Sequence, residues 1–123
     1  MCSYSLTHVG DRDLLQGLVS LVARDRATTA ELLAHIAEVD ARRLYLPAAY
    51  PSMHLYCVHE LHLSEDSALK RIQAARAARD FPVLFEAVAA GRLHPSGVVL
   101  LAPHLTAENV DGLVAAATHR SNP

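Results

Sequence analysis

The chemically most capable side chains of the sequence lie in one segment, residues 64–79. Four of the chain's eleven Lys and Arg residues fall within ten positions there. They are Lys70, Arg71, Arg76 and Arg79, and Ser64, Ser67 and Gln73 add hydroxyl and amide groups between them. Guanidinium and ammonium groups donate hydrogen bonds to phosphate oxygens and guanine edges, and hydroxyl and amide groups also bind both. The segment therefore predicts a surface that contacts double-stranded DNA.

The pattern around this segment predicts the helix that must position it. Ser64 is a typical N-cap, and Glu65 and Asp66 favour the first turn, where the helix dipole attracts acids. The apolar face is predicted to be Ala68, Leu69, Ile72, Ala75 and Ala78. Pro82 ends the helix because it disfavours helical backbone at the residue before it.

A second helix is predicted before the basic one, from an N-cap at Ser52 through Leu61. The short turn Leu61-His62-Leu63 joins the two helices. Two helices with such a turn form a helix-turn-helix, in which the second helix enters the major groove. We therefore predict a helix-turn-helix at about residues 52–79.

The N-terminal part of the sequence predicts one long helix that begins near Asp11. Its apolar residues recur every three or four positions, which is typical of one helical face. They are Leu14, Leu15, Leu18, Val22, Thr29, Leu32, Leu33, Ile36 and Val39. A helix of about 30 residues is roughly 45 Å long, which is longer than the rest of the domain needs. We therefore expect a homodimer to form through this helix.

The remaining sequence predicts three shorter helices. One begins at Pro82 and ends near Ala90, one runs from about His94 to Ala102, and one from Ala107 to about Thr118 after a cap at Thr106. Residues 1–10 are predicted to be a flexible lead, and 119–123 a frayed tail. The predicted fold is all-α: a single domain at 11–118 in which the long N-terminal helix precedes a bundle of about five shorter helices that contains the helix-turn-helix.

The composition restricts the functional classes. Hydrophobic residues make up 51% of the chain and charged residues 20%, which indicates a globular protein rather than a disordered one. The net charge of −2 gives no general attraction for nucleic acid, so DNA binding must depend on local clustering. No apolar run approaches the roughly 20 residues that span a bilayer, and no signal peptide is apparent. We expect no membrane partner and a cytoplasmic location.

The sequence predicts no catalytic, metal or cofactor site. The densest group of potential zinc ligands is His54, Cys57, His59 and His62. A zinc site needs four converging ligands, and His59 is predicted to point away from His54 and Cys57 on the same helix. We therefore interpret these histidines as surface or boundary residues. Neither a Gly-x-Ser-x-Gly elbow nor a glycine-rich phosphate loop is present.

Two segments carry a resemblance to a known family. LSEDSALKRIQAARAARDFP and EAVAAGRLHPSGVVLLAPHLTAEN resemble the helical N-terminal region of bacterial, myxobacterial-type HNH endonuclease-like proteins. The resemblance also reaches back through LLAHIAEVDARRLYL and the Tyr50–Leu61 segment, and it covers roughly residues 12–118. A weaker similarity connects the Ser-capped helix, the Pro-led helix and the turn Gly91-Arg92-Leu93-His94 to the helix-turn-helix of ParB-type partition proteins. Both imply a DNA-associated helical module.

The resemblance also has a clear departure. In HNH proteins the nuclease is a separate unit that follows this region, and its metal-binding histidines and asparagine have no counterpart here. No catalytic residue is therefore carried over, and the chain is expected to be an accessory domain, as a fragment, a truncated product or a stand-alone copy. The alternative is a protein-interaction or dimerisation module without DNA contact, which the long apolar stripe and the negative net charge favour.

Overall fold

The computed structural model describes residues 5–120, and side chains as far as residue 117. Within this range the chain is all-helical and has no strand. The helices are α1 (Asp11–Arg42), α2 (Met53–His59), α3 (Glu65–Asp80), α4 (Val83–Ala89), α5 (Pro95–Leu101) and α6 (Val110–Arg120), with a 3-10 turn at Ala102–His104. The predicted all-α fold with a long N-terminal helix is confirmed. None of the helices in the described range is long and apolar enough to cross a membrane.

Two of the predicted N-caps position the pair α2 and α3. The Ser52 hydroxyl accepts a hydrogen bond from the Leu55 amide, and the Ser64 hydroxyl accepts one from the Ser67 amide, each at 3.1 Å. Each bond satisfies an amide that the first helical turn leaves without a partner. The helix order expected for a helix-turn-helix is present, and the helix-turn-helix itself stays a prediction.

The connector between α1 and α2 is held by aromatic contacts. Arg43 ends α1 in the left-handed conformation, with φ 53°. The rings of Tyr50 and Tyr56 then meet edge to face with centroids 5.4 Å apart. The Tyr50 hydroxyl donates to Glu60 Oε1 at 3.2 Å. These contacts fix the connector against α2.

Two predicted helix boundaries are wrong. The second helix ends at His59 rather than Leu61, because the Leu61 amide bonds to the Tyr56 carbonyl and His62 turns to φ 58°. The last helix begins at Val110 rather than Ala107. Asn109 Oδ1 accepts the Thr106 amide at 2.7 Å and Thr106 Oγ1 accepts the Asn109 amide at 3.1 Å, which closes 106–109 as a turn of its own.

The predicted lead and tail fall partly outside the described residues. In the lead, the Val9 amide bonds to the Leu6 carbonyl just before α1 begins, and residues 1–4 lie outside the described range. In the tail, α6 extends through Arg120, and residues 121–123 lie outside it.

The core is organised around α3, against which α1, α2, α4 and α5 all pack. Most of its buried side chains are alanines: Ala68, Ala74, Ala75, Ala77 and Ala78. Small side chains at the contact allow neighbouring helix axes to approach closely. The larger fully buried side chains come from the surrounding helices: Leu33, Cys57, Leu84 and Val98.

Only the second part of α1 belongs to this core. Its buried residues are Ala30, Leu33, Ile36 and Ala37, which face α3 and α4. Every side chain of residues 11–28 is exposed, although this segment is as helical as the rest. We call residues 11–28 the projecting half of α1.

The core assignment predicts a difference between two leucines. Leu84 is fully buried and Leu100 is 75% exposed. We expect Leu84→Ala to lower the free energy of unfolding by about 3 kcal/mol, because it leaves a cavity among packed helices. We expect Leu100→Ala to change it by less than about 0.5 kcal/mol. Urea denaturation followed by circular dichroism measures both values, and equal losses would contradict this description of the core.

Candidate nucleic-acid interface

The predicted DNA-contacting residues of α3 lie on two different sides of the helix. Lys70 and Arg71 line a cavity of about 310 Å³. Gln73 and Arg76 line another, of about 430 Å³, next to α5. The single broad basic side expected from the sequence is therefore divided, and the two cavities differ in their chemistry.

The first cavity collects positive charge from two helices. Arg26 of α1 joins Lys70 and Arg71 in its wall, and one carboxylate, that of Asp25, also lines it. The other lining residues are Thr29, Val88, Gly91, Leu93, His94, Pro95 and Ser96. We call this the cationic cavity. Three cationic side chains around one depression can attract an anion despite the negative net charge of the chain.

Gly91 lies in the wall of the cationic cavity, in the turn after α4. Its φ is +77°, a conformation that other residues adopt only with strain. A Cβ atom at this position would lie 2.6 Å from the Arg26 guanidinium. Glycine therefore serves both the turn after α4 and the close approach of Arg26 to that turn.

Arg71 is the most enclosed cation of the cavity. Its Nη1 donates to the hydroxyl of Ser67, one turn earlier on α3. Its Nε is buried, and no hydrogen-bond partner for it is found among the described residues. A buried donor without a partner costs free energy, so Arg71 is held in this position by packing and by the Ser67 contact rather than by a hydrogen bond at Nε.

Lys70 is held only weakly. Its ammonium lies 3.3 Å from Asp66 Oδ2, and both side chains are well exposed, at 49% and 77%. An exposed ion pair one turn apart on a helix contributes little to stability. Lys70 can therefore exchange Asp66 for another anion at low cost.

Arg76 has a structural partner that the sequence did not indicate. Its Nε and Nη2 donate to the two carboxylate oxygens of Asp40 at 2.8 and 2.9 Å. The hydrogen bond from Arg76 lowers the pKa of Asp40; burial opposes this effect, and the charges of Arg76, Arg79 and Arg43 add to it. Arg76 thus joins α3 to the end of α1, and its charge is largely compensated.

The other predicted contact residues have varied surroundings. Ser64 caps α3, and Ser67 accepts the bond from Arg71. Gln73 and Arg79 are exposed on α3. Arg26 lies in a different helix, 44 positions before Lys70 in the chain, and no local signal in the sequence pointed to it.

Leu69 was predicted to be buried and is 48% exposed, so that prediction is wrong. The helices around α3 pack against Ala68 and Ile72, and Leu69 lies one residue, about 100°, away from Ala68. The predicted apolar face was therefore too wide on this side.

The cysteine of the histidine-rich segment belongs to the core. Cys57 is fully buried. Burial raises the pKa of its thiol, and the negative charge of Asp40 raises it further. His59 and His62 are exposed. In the part of the chain that the structure describes, no group of three or more His, Cys, Asp or Glu residues is arranged to hold a metal ion.

Comparison with known proteins found no match. No protein-family model, no curated protein and no solved structure is similar to this chain. The functional argument therefore depends on the geometry of the cationic cavity.

The Asp40–Arg76 ion pair predicts a pH-dependent contribution to stability. Asp40→Asn should lower the free energy of unfolding by about 1 kcal/mol at pH 7. The substitution removes the negative charge that forms the ion pair with the half-exposed Arg76 guanidinium. The pKa of Asp40 is lowered from 3.8 in the folded state, so the contribution is full above pH 3.8 and is lost as the pH falls through the lowered value.

Urea denaturation at pH 7 and at successively lower pH measures this difference. Glu38→Gln is the matched control, because Glu38 forms a more exposed pair with Arg42, whose two side chains are 60% and 64% exposed. A constant difference between wild type and Asp40→Asn at all pH values would contradict the assignment.

Proposed function

We propose that this domain binds double-stranded DNA through the cationic cavity, as a helical accessory domain of an HNH endonuclease-type protein. The observation that carries the proposal is the convergence of Arg26, Lys70 and Arg71 on one cavity. The resemblance of residues 12–118 to HNH endonuclease-like proteins supports the wider assignment.

A DNA phosphate is the ligand that best fits the cavity. Guanidinium groups bind phosphate oxygens in two-point hydrogen bonds, and an ammonium group adds a point charge. Arg26 and Arg71 supply the first kind of donor and Lys70 the second. The hydroxyl of Ser96, also in the wall, is a further donor. These groups fix the protein on the DNA backbone.

Sequence readout is proposed to be the weaker part of the interaction. Phosphate contacts position a protein on DNA, whereas contacts to base edges select the sequence. Two of the predicted donors, Gln73 and Arg79, are exposed on α3, but Arg76 between them is held by Asp40. We therefore expect affinity that depends strongly on salt and differs little between duplex sequences.

The proposal predicts a change in salt dependence. Lys70→Ala combined with Arg71→Ala should weaken duplex binding and reduce the slope of log K against log salt concentration by about two, since each lost phosphate contact removes roughly 0.9. Arg26→Ala should reduce the slope by about one. Fluorescence anisotropy of a labelled duplex, titrated with protein at several salt concentrations, measures the slopes.

A matched control separates local contact from net charge. Arg24→Ala combined with Arg42→Ala removes the same two positive charges from exposed positions of α1 outside the cavity. This control should keep the wild-type slope to within about half a unit. An equal reduction in both double variants, or no duplex binding by the wild-type chain at low salt, would contradict the proposal.

A further inference from the structure

The projecting half of α1 carries an apolar face that nothing in the described chain covers. Its large exposed side chains are Leu14, Leu15, Leu18, Val19, Leu21 and Val22. At 100° per residue they occupy one arc of the helix, and Asp13, Gln16 and Ser20 occupy the other side. This arrangement is that of a helix with one face against a partner.

The exposed face continues the core-facing side of the same helix. Leu15 and Leu33 are 18 residues apart, and so are Leu18 and Ile36, which is five full helical turns. Leu33 and Ile36 are buried, against α3 and α4, whereas Leu15 and Leu18 are 63% and 59% exposed. The apolar stripe of α1 therefore packs against other helices in the second part of α1 and is exposed in the projecting half.

The two ends of the exposed stripe carry net charges of opposite sign. Asp11-Arg12-Asp13 precedes it and Arg24-Asp25-Arg26 follows it. If two copies of this segment lie antiparallel, with Leu18 and Val19 at the two-fold axis, Asp11 of one lies opposite Arg26 of the other. The two-fold symmetry repeats this pair at the other end. A parallel arrangement would bring like charges together.

We infer that the projecting half of α1 forms an antiparallel pair with the same segment of a second copy of the chain. The overlap of residues 11–26 is about 24 Å long. Leu15, Leu18, Val19 and Val22 form its apolar centre, and the two Asp11–Arg26 pairs lie at its ends. The charge pattern selects this occupant, because the segment is complementary to itself in the antiparallel orientation. Arg26 also lines the cationic cavity, so the dimer contact and a bound phosphate share this residue, and the tests below measure self-association without DNA.

The first test is the mass of the chain in solution, measured by light scattering after size exclusion. The wild type should have twice the chain mass of 13.3 kDa. Leu18→Asp combined with Val22→Asp should be monomeric, with unchanged helical circular dichroism because both side chains are exposed in the single chain. Leu69→Asp combined with Leu100→Asp is the matched control at exposed leucines elsewhere, and it should remain dimeric.

The orientation is tested by charge reversal. Asp11→Arg alone and Arg26→Asp alone should each weaken dimerisation about tenfold at low salt, because each places two like-charged pairs across the interface. The combination of both substitutions in one chain should restore wild-type affinity. In a parallel pair none of the three variants would change the affinity. Sedimentation equilibrium over a concentration series measures the dimer dissociation constants.

Three results would overturn the inference. They are a wild-type monomer at every concentration tested, a dimer that survives Leu18→Asp with Val22→Asp, and a failure of the double charge reversal to restore the affinity lost in the single variants. A chain that is monomeric and binds a different protein through this face gives the first of these results. Failure of duplex DNA binding leaves the inference untouched, because the tests measure self-association alone.

Discussion

The alanine-rich surface of α3 is the constraint on which the arrangement of the other helices depends. Four helices pack against α3, and they can do so together because their contacts with it are made mostly through small side chains. The volume of the core is then filled from outside by Leu33, Leu84 and Val98. A larger residue at Ala74 or Ala75 would overpack the core, since both positions are fully buried.

This central position limits what α3 can present to a ligand. A helix that is covered on several sides has only a narrow exposed strip, so its polar residues are divided between separate cavities rather than aligned on one surface. Lys70 and Arg71 face α1 and the turn after α4, and Arg76 is used to hold α1 by way of Asp40. The positive charge beside α3 therefore comes partly from Arg26 of α1, which lies against Gly91.

Local signals in the sequence were sufficient to predict the helices, although not all of the helix boundaries. The caps at Ser52 and Ser64, the break at Pro82 and the apolar periodicity of α1 each depend on neighbouring residues, and the structure has helices where they predict them. The boundaries that failed, at Leu61 and Ala107, depend on a left-handed His62 and on the paired Thr106 and Asn109 side chains. Neither feature changes the spacing of the apolar residues, so neither could be predicted from that spacing.

Contacts between distant parts of the chain could not be predicted in this way. Asp40 and Arg76 are 36 positions apart, and nothing near either residue indicates the other. The same is true of Arg26 and Arg71, and it explains why the predicted basic surface differs from the cationic cavity. Leu69 was assigned to the buried face because it is apolar, whereas its burial is decided by which sides of α3 the other helices cover.

The most direct measurement of the central claim is the amide NMR spectrum of the isotope-labelled chain during titration with a short DNA duplex. The account predicts that the largest chemical-shift changes cluster around Arg26, Lys70, Arg71 and the turn from Gly91 to Ser96, which are distant in sequence and share one cavity. Changes confined to other surfaces, or none at low salt, would contradict it.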